Sequence, residues 1–395
     1  MNYAGILDRL AGLGGAKWEV HARARHLAAD GRDIIELTIG EPDVATPQAL
    51  TNVAVDALRR GRTGYSDGRG EDNLRAALAQ RYSQRTATRI GADRILCFPG
   101  TQTALFAVLM GVVETGDEVL VGDPMYATYE GVIRATGATM VPVPLSPARG
   151  FRIRAEDIAA RITPRSRAIL LNTPHNPTGA ILSREDLLAI GTLAQEHDLW
   201  IISDEVYEEL VFDGETFHSP LSVPDLADRV VVVSSISKSH AAPGFRSGWA
   251  VGSPEFAARL LPLSETMLFG NQPFIADMTA AAVNEQSEVA AGMRGRFAAR
   301  ARRLHARLSA ERTLEVHAPK AGMFAMVNVE KTGMNGHDYA LDLLEKSGVA
   351  VMPGSAFGAR LDHWIRVALT VDDARFDTAC DRIAAHARQH TRASA

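Results

Sequence analysis

The densest chemical signal in the chain is Ser234-Ser235-Ile236-Ser237-Lys238, which directly follows the apolar run Val230–Val233, with Arg246 a short turn further on. A lysine at the carboxyl end of a buried strand is partly desolvated, which lowers its pKa and exposes a nucleophilic amine. The hydroxyls of Ser235 and Ser237, with an arginine returning through Pro243-Gly244, are groups that hold a phosphate dianion. Lysines are scarce here: Lys17, Lys238, Lys320, Lys331 and Lys346 stand among 42 Lys and Arg side chains. Amine chemistry therefore has few places to occur. An acyl-transfer Ser-x-x-Lys reading also fits Ser235–Lys238, but no Ser-Asp-Asn or Lys-Thr-Gly follows.

Upstream, the apolar run Trp200–Ser203 ends at Asp204-Glu205-Val206-Tyr207, so the Asp204 carboxylate can share a sheet edge with Lys238. A buried aspartate needs a cation or a donor, which a protonated pyridine-type nitrogen would supply; helix capping is the competing role. Tyr207 can then reach a phenolic oxygen of the same ring. Asn176, before Pro177, is held extended, so its amide can point at a ring oxygen, although an Asn-Pro turn alone decides little. His175 reads as a turn residue in preference to a base. Pro99-Gly100-Thr101-Gln102 opens an apolar helix whose first amides, with the Thr101 hydroxyl, suit an anion. Tyr126 can stack on a flat ring or fill the core. Arg366, among apolar neighbours in Ile365–Leu369, needs an anion, either a substrate carboxylate or a structural partner.

These residues sit where an α/β sheet would present them. Short apolar runs predict strands at Arg94–Phe98, Glu118–Val121, Thr139–Val143, Ala168–Asn172, Leu199–Ser203, Arg229–Ser235 and Gly248–Val251. They alternate with helical patterns, as a mainly parallel, doubly wound sheet requires. Thr46-Pro47 reads as a helix start closed by Arg59-Arg60-Gly61, and Ser183–Asp186 as a capping box. After about Asn284 the pattern becomes a long helix from Glu288 to about Ala310, then strands near Met323–Val329 and Trp364–Leu369. The expected division is a large unit over 46–284 and a smaller α+β unit formed by 1–45 plus 285–395. The arginines of that long helix, Arg294, Arg296, Arg300, Arg302, Arg303 and Arg307, read as a solvated face rather than a nucleic-acid grip.

Composition narrows the function class. The 395 residues are 46% hydrophobic and 23% charged, ordinary for a folded globular protein of more than one domain. A formal charge of -5 argues against a polyanion partner. Two cysteines, Cys97 and Cys380, make no disulfide framework, and no secretory or membrane-spanning pattern is present in the sequence, so the expected location is cytoplasmic. A dinucleotide fingerprint after a strand, a P-loop and a metal-spaced Cys/His set are missing, which removes support from nicotinamide, ATP and zinc chemistry.

In chain order, Gly40-Glu41-Pro42-Asp43, Tyr65, Gly100-Thr101-Gln102, Tyr126, Asn172 and Asn176-Pro177-x-Gly179, Asp204 and Tyr207, Ser235-x-Ser237-Lys238, Arg246 and Arg366 resemble the class I aminotransferases. These are fold-type I enzymes that use pyridoxal 5'-phosphate, and the likeness spans nearly the whole chain. It implies Lys238 as the Schiff-base lysine, Asp204 as partner of the pyridine nitrogen, and Asn176 and Tyr207 on the ring oxygen. Tyr126 would stack on the ring. Gly100, Thr101, Gln102, Ser235, Ser237 and Arg246 would hold the phosphate, with Tyr65 reaching the neighbouring subunit's phosphate in a homodimer. Arg366, Asn172 and the Gly40 backbone would take the substrate carboxylate. Two departures concern local packing: Ser-His-Ala-Ala follows Lys238 where many relatives have an aromatic, and Ala321-Gly322 replaces a double glycine.

Gly15–His21, His197–Trp200 and Ser237–His240 look like the arginine–pyruvate branch, which implies an amino acid such as arginine as donor and pyruvate as acceptor. Glu19 or Asp43 could then offer a carboxylate to the guanidinium, with plain surface charge as the competing reading. The alternatives are aspartate or aromatic donors with 2-oxoglutarate, for which Lys17 is a candidate distal cation that reads better as solvated, or another reaction of the same cofactor: elimination, decarboxylation or oxidation. A cofactor-binding regulator would need a DNA-binding module, for which the segment before Thr46 is too short.

Overall fold

The computed structural model describes residues 1–393. Twelve strands among them form two sheets. In chain order these are β1 (Ile35–Leu37), β2 (Ile95–Phe98), β3 (Glu118–Asp123), β4 (Thr139–Pro144), β5 (Ser166–Asn172), β6 (Trp200–Asp204), β7 (Val230–Ser235), β8 (Gly248–Val251), β9 (Glu315–His317), β10 (Phe324–Asn328), β11 (Val349–Pro353) and β12 (Trp364–Ala368). The first sheet has seven strands in the order β2-β8-β7-β6-β5-β3-β4; the second has five, β1-β11-β12-β10-β9.

The central strands of the seven-stranded sheet read as unbroken apolar runs because helices cover both faces. Val230, Val231, Val232 and Val233 are all fully buried. Alternate residues enter two different cores: Val230 and Val232 pack with Leu78, Tyr82 and Trp249, whereas Val231 and Val233 pack with Leu105, Val108 and Phe256. The helix Thr101–Val112, apolar on nearly all sides, is sandwiched accordingly. The predicted capping box is present on the helix Arg184–Glu196, with Ser183 accepting from the Asp186 amide. Thr46 does not cap the next predicted helix, Gln48–Arg59; its hydroxyl donates instead to the Ala241 carbonyl at 2.5 Å.

Six strands of this sheet run one way and β8 alone runs against them. That reversal matters for the site. The beginning of β8 lies beside the ends of β2 and β7, with Gly248 paired to Phe98 and to Ser235. The parallel register of β5 and β6 sets Asn172 opposite Asp204. Residues far apart in sequence thus come to one sheet edge.

The five-stranded sheet packs its own core around Phe297, Leu304, Val327, Tyr339, Leu343, Val351 and Phe376. The long helix runs from Glu288 to Leu308, close to the expected span. Its arginines correct the solvated-face reading. Arg300 is 2% exposed and donates to Asp373 (2.7 Å), Asp43 (2.6 Å) and the Leu369 carbonyl (2.8 Å). Arg296 also meets Asp43, Arg303 meets Asp373 and Asp377, and Arg307 pairs with Asp381. The helix therefore presents a ladder of guanidiniums to aspartates spaced along the helix Asp373–Ala393.

Removing one partner of a buried pair strands the other charge, at about 3–5 kcal/mol. Arg300→Ala is accordingly expected to lower unfolding stability by about that amount, whereas Arg302→Ala, outside the ladder, should change it by less than ~1 kcal/mol. Urea denaturation of both variants checks this; equal losses would mean that the ladder holds little.

Candidate active site

At the common edge of the seven-stranded sheet, under the five-stranded one, lies a cleft of about 250 Å³ that opens to solvent. Its lining carries one acid, Asp204, and three cations, Lys238, Arg246 and Arg366. Among the described residues, none of the three cations forms an ion pair with a carboxylate of the chain. Lys238, on the short helical turn after β7, reaches across to the other sheet's side and donates from Nζ to the Gly40 carbonyl at 2.6 Å. Burial lowers its pKa to about 8; the nearby Glu41 carboxylate opposes the shift, while Arg366 and Arg246 add to it.

Asp204 ends β6 with its carboxylate buried. Tyr129 Oη donates to Oδ2 at 2.8 Å, and the Val206 amide donates to Oδ1 at 3.2 Å. Burial outweighs these donors and raises the carboxyl pKa to about 6. A buried carboxylate short of a full counter-charge is a site for a cation or a protonated nitrogen.

Opposite, the N-terminus of the helix Thr101–Val112 meets Arg246. Gly100 has φ +88°, and a Cβ there would collide with the Arg246 guanidinium. A Cβ on Gly248 would fall 2.5 Å from the Gly100 carbonyl carbon and 2.7 Å from the Thr101 nitrogen. Glycine at both positions lets guanidinium, backbone amides and β8 close on one another. Arg246 donates only to carbonyls, of Pro243 at 2.6 Å and Pro99 at 3.4 Å. Thr101 Oγ1 is buried without a partner. A helix N-terminus, an uncompensated guanidinium and an orphaned hydroxyl make a seat for an anion. Ser235 and Ser237 line the same cleft.

Arg366 enters from β12, the middle strand of the smaller sheet, held between Phe324 and Phe357 with its guanidinium carbon 3.9 and 4.4 Å from their ring centres. It donates to the Thr38 carbonyl at 2.5 Å and to Asn176 Oδ1 at 3.1 Å. Asn176 in turn donates to Tyr207 Oη at 3.3 Å. Asn172 anchors the set by donating to the Asp204 carbonyl and accepting from the Asn176 amide. Burial lowers the Arg366 pKa to about 10, and Nε has no partner. This guanidinium is held in place to receive an anion.

Comparison with known proteins decides the family. Residues 32–383 match the model of the family described as "Aminotransferase class I and II". The chain belongs to the class I and II aminotransferases. It is 42% identical to the arginine–pyruvate transaminase of Pseudomonas aeruginosa over 97% of this chain and 98% of that protein. It is 31% identical to an aromatic-amino-acid aminotransferase of Thermococcus litoralis, over 90% of this chain and 92% of that one. Among solved structures, a single mutant of the Thermus thermophilus aspartate aminotransferase superposes with a TM-score of 0.92 at 29% identity, covering 98% of this chain and all (100%) of that one. The fold expected from the sequence, fold-type I with a mainly parallel large sheet, is the fold observed.

Members of the family use pyridoxal phosphate, and this aminotransferase has residues that fit it: the orphaned Thr101 hydroxyl and unpaired Arg246 suit the phosphate, and the under-compensated Asp204 suits a protonated ring nitrogen. Of the residues singled out from sequence, Gly40, Thr101, Gln102, Tyr126, Asn172, Asn176, Asp204, Tyr207, Ser235, Ser237, Lys238, Arg246 and Arg366 line the cleft, and Gly100 abuts it through Arg246. Tyr65 does not; it is 93% exposed, edge-on to the exposed Phe269. His175 is half-buried, bonded to Thr178, and held neutral by desolvation with a pKa of about 4.

The carboxylates suggested for a guanidinium substrate are elsewhere. Asp43 is consumed by Arg300 and Arg296, and Glu19 lies by His337. Lys17 is paired with Glu130 at 3.1 Å and is no free distal cation. Sequence reasoning missed Tyr129, the direct partner of Asp204, as well as Trp18, Phe324 and Phe357 in the lining. No helix among the described residues is long and apolar enough to cross a membrane.

Proposed function

We propose that this aminotransferase moves the amino group of L-arginine, or of another L-amino acid in a broad donor range, to a 2-oxo acid such as pyruvate. The observation that carries the reaction is the convergence of Lys238, Asp204, Arg246 and Arg366 on one cleft. The donor rests on the likeness to the arginine–pyruvate transaminase. When bound, pyridoxal phosphate supplies an aldehyde carbon for amines and an electron-poor ring that accepts the electron pair left at the substrate Cα.

The chain's residues divide the remaining work. Lys238 Nζ would hold the cofactor and, as a free amine, would carry the Cα proton; a pKa lowered to about 8 leaves about a tenth of the amine neutral at pH 7. Asp204, fixed by Tyr129, would keep a proton on the ring nitrogen. Asn176 and Tyr207 would bind the ring oxygen, with Tyr126 against the ring. Thr101, Gln102, Ser235, Ser237, Arg246 and the amides after Gly100 hold the phosphate. Arg366 takes the substrate α-carboxylate with Asn172 and the Gly40 backbone. Because Arg366 belongs to the smaller unit and Lys238 to the larger, substrate bridges the two units, 46–284 and 1–45 plus 285–395. Tyr65 and Phe269, both exposed, suit a second copy of the chain, with Tyr65 reaching that copy's phosphate.

Each cation of the lining already has a task in this scheme, so a distal carboxylate finds no dedicated cation among the described residues of the same chain. That favours a monocarboxylic acceptor over 2-oxoglutarate. The aromatic lining (Trp18, Tyr126, Phe324, Phe357) supports aromatic donors as the second reading.

Two assays test the proposal. With a donor and no acceptor, the enzyme should form one equivalent of oxo acid per site and stop; continued turnover would indicate elimination, decarboxylation or oxidation. In a donor panel with pyruvate and with 2-oxoglutarate, arginine plus pyruvate should give alanine. Absence of alanine would overturn the donor assignment.

A further inference from the structure

The helix Gly336–Ser347 and the C-terminal helix Asp373–Ala393 pack side by side in the core of the smaller sheet. Where they meet, Asp342 on the first faces His386 and His390, one turn apart on the second. His386 Nε2 is 3.2 Å from Asp342 Oδ2, His390 Nε2 is 3.4 Å from the same oxygen, and the two Nε2 atoms are 3.3 Å apart. The three ligand atoms form a nearly equilateral triangle. A tetrahedral ion with bonds of about 2.0–2.2 Å sets its ligands about 3.3–3.6 Å apart, so this triangle has the size of one face of such a tetrahedron.

Other details agree. Lys346 holds Asp342 Oδ1 at 2.8 Å, which leaves Oδ2 to point at the two imidazoles. His386 is completely buried, so its ring is held in place, and a neutral imidazole is the form that ligates metal. The Tyr339 ring stands edge-on to His386 at 5.1 Å and tilted against His390 at 6.3 Å, fixing both planes. A proton between any two of the three ligand atoms leaves the third facing a lone pair; a single cation satisfies all three.

We infer that Asp342, His386 and His390 form a site for a divalent transition ion of the zinc class, with a fourth position left to water. Two imidazoles and one carboxylate suit zinc, cobalt or nickel better than magnesium or calcium. None of the three residues lines the catalytic cleft, so the ion clamps the two helices and takes no part in amino transfer.

The test uses holoenzyme freed of metal by a chelator and dialysed, with Zn²⁺ as the probe. One Zn²⁺ per chain should bind and raise Tm. His390→Gln and Asp342→Asn, both at partly exposed positions, should weaken binding by at least about 10–100-fold, the loss seen even for outer ligand partners. Both should lose the Tm rise while keeping turnover. Co²⁺ in place of Zn²⁺ should give an intense visible band of tetrahedral type, absent from His390→Gln. No stoichiometric uptake, uptake unchanged in both variants, or a weak octahedral-type cobalt spectrum would each overturn the site.

Discussion

Lys238→Ala is expected to reduce kcat by about 10⁴-fold or more, the upper range for loss of a positioned proton carrier, with the attachment point for the cofactor lost besides. The geometry explains why no other residue substitutes. Lys17 is tied to Glu130, Lys320 to Glu215 and Lys346 to Asp342, and Lys238 is the lone lysine of the cleft lining among the described residues. The anion seat formed by Thr101, Arg246 and the helix N-terminus, proposed above for the phosphate, does not involve Lys238, so the variant should still bind cofactor, with an altered absorbance. Small primary amines added to the solution should restore part of the activity, because they supply the missing base; they would not rescue a misfolded chain. Lys238→Arg should be about as inactive as Lys238→Ala, since a guanidinium keeps the charge but does not lose its proton. A Lys238→Ala enzyme within about tenfold of the parent would remove Lys238 from the chemistry.

The site was legible to the extent that its residues end strands. Parallel strands buried on both faces announce themselves as apolar runs, so Asp204 and Lys238 could be placed at one edge before their register was known. What they touch depends on register and on reversal. Tyr129 lies three residues after Tyr126, a spacing visible in sequence, but its bond to Asp204 depends on how the segment after β3 folds over β6. Arg246 comes to Gly100 because β8 runs antiparallel, which an apolar run of four residues does not reveal. In the smaller sheet, β1 and β9 are three residues each, too short for a periodic signal. The arginine ladder is a different failure. Arg296, Arg300, Arg303 and Arg307 recur every three or four residues, and Asp373, Asp377 and Asp381 recur every four. Each helix alone looks solvated; only as a pair do the two stripes predict an interface, and Asp43, which lies on neither helix, joins it only in the folded chain.

Asp204→Asn should separate what this carboxylate does for catalysis from what it costs the fold. With cofactor bound and Asp204 at the ring nitrogen as proposed, loss of its charge should lower kcat by at least about 10²–10³-fold, the range for removing one preorganised electrostatic group. In cofactor-free protein the effect on stability should have the opposite sign. The folded pKa of Asp204 is raised to about 6, against about 3.9 for an unfolded aspartate. The native state therefore binds the proton more tightly, and stability falls as pH climbs from about 4 to about 6, then stays low. The substituted amide carries no such charge and can still accept from Tyr129. The stability advantage of the variant over the parent should thus grow by roughly 1 kcal/mol between about pH 5 and pH 7. Lys238 does not confound that window: its pKa is lowered to about 8, so its contribution changes mainly between about 8 and 10, where stability rises with pH. Urea denaturation of both cofactor-free proteins at the two ends of that window measures the gap, and adding pyridoxal phosphate should stabilise the parent more than the variant. A gap that stays flat with pH, or a variant that keeps parental kcat, would show that the buried carboxylate is not held in readiness for a cation.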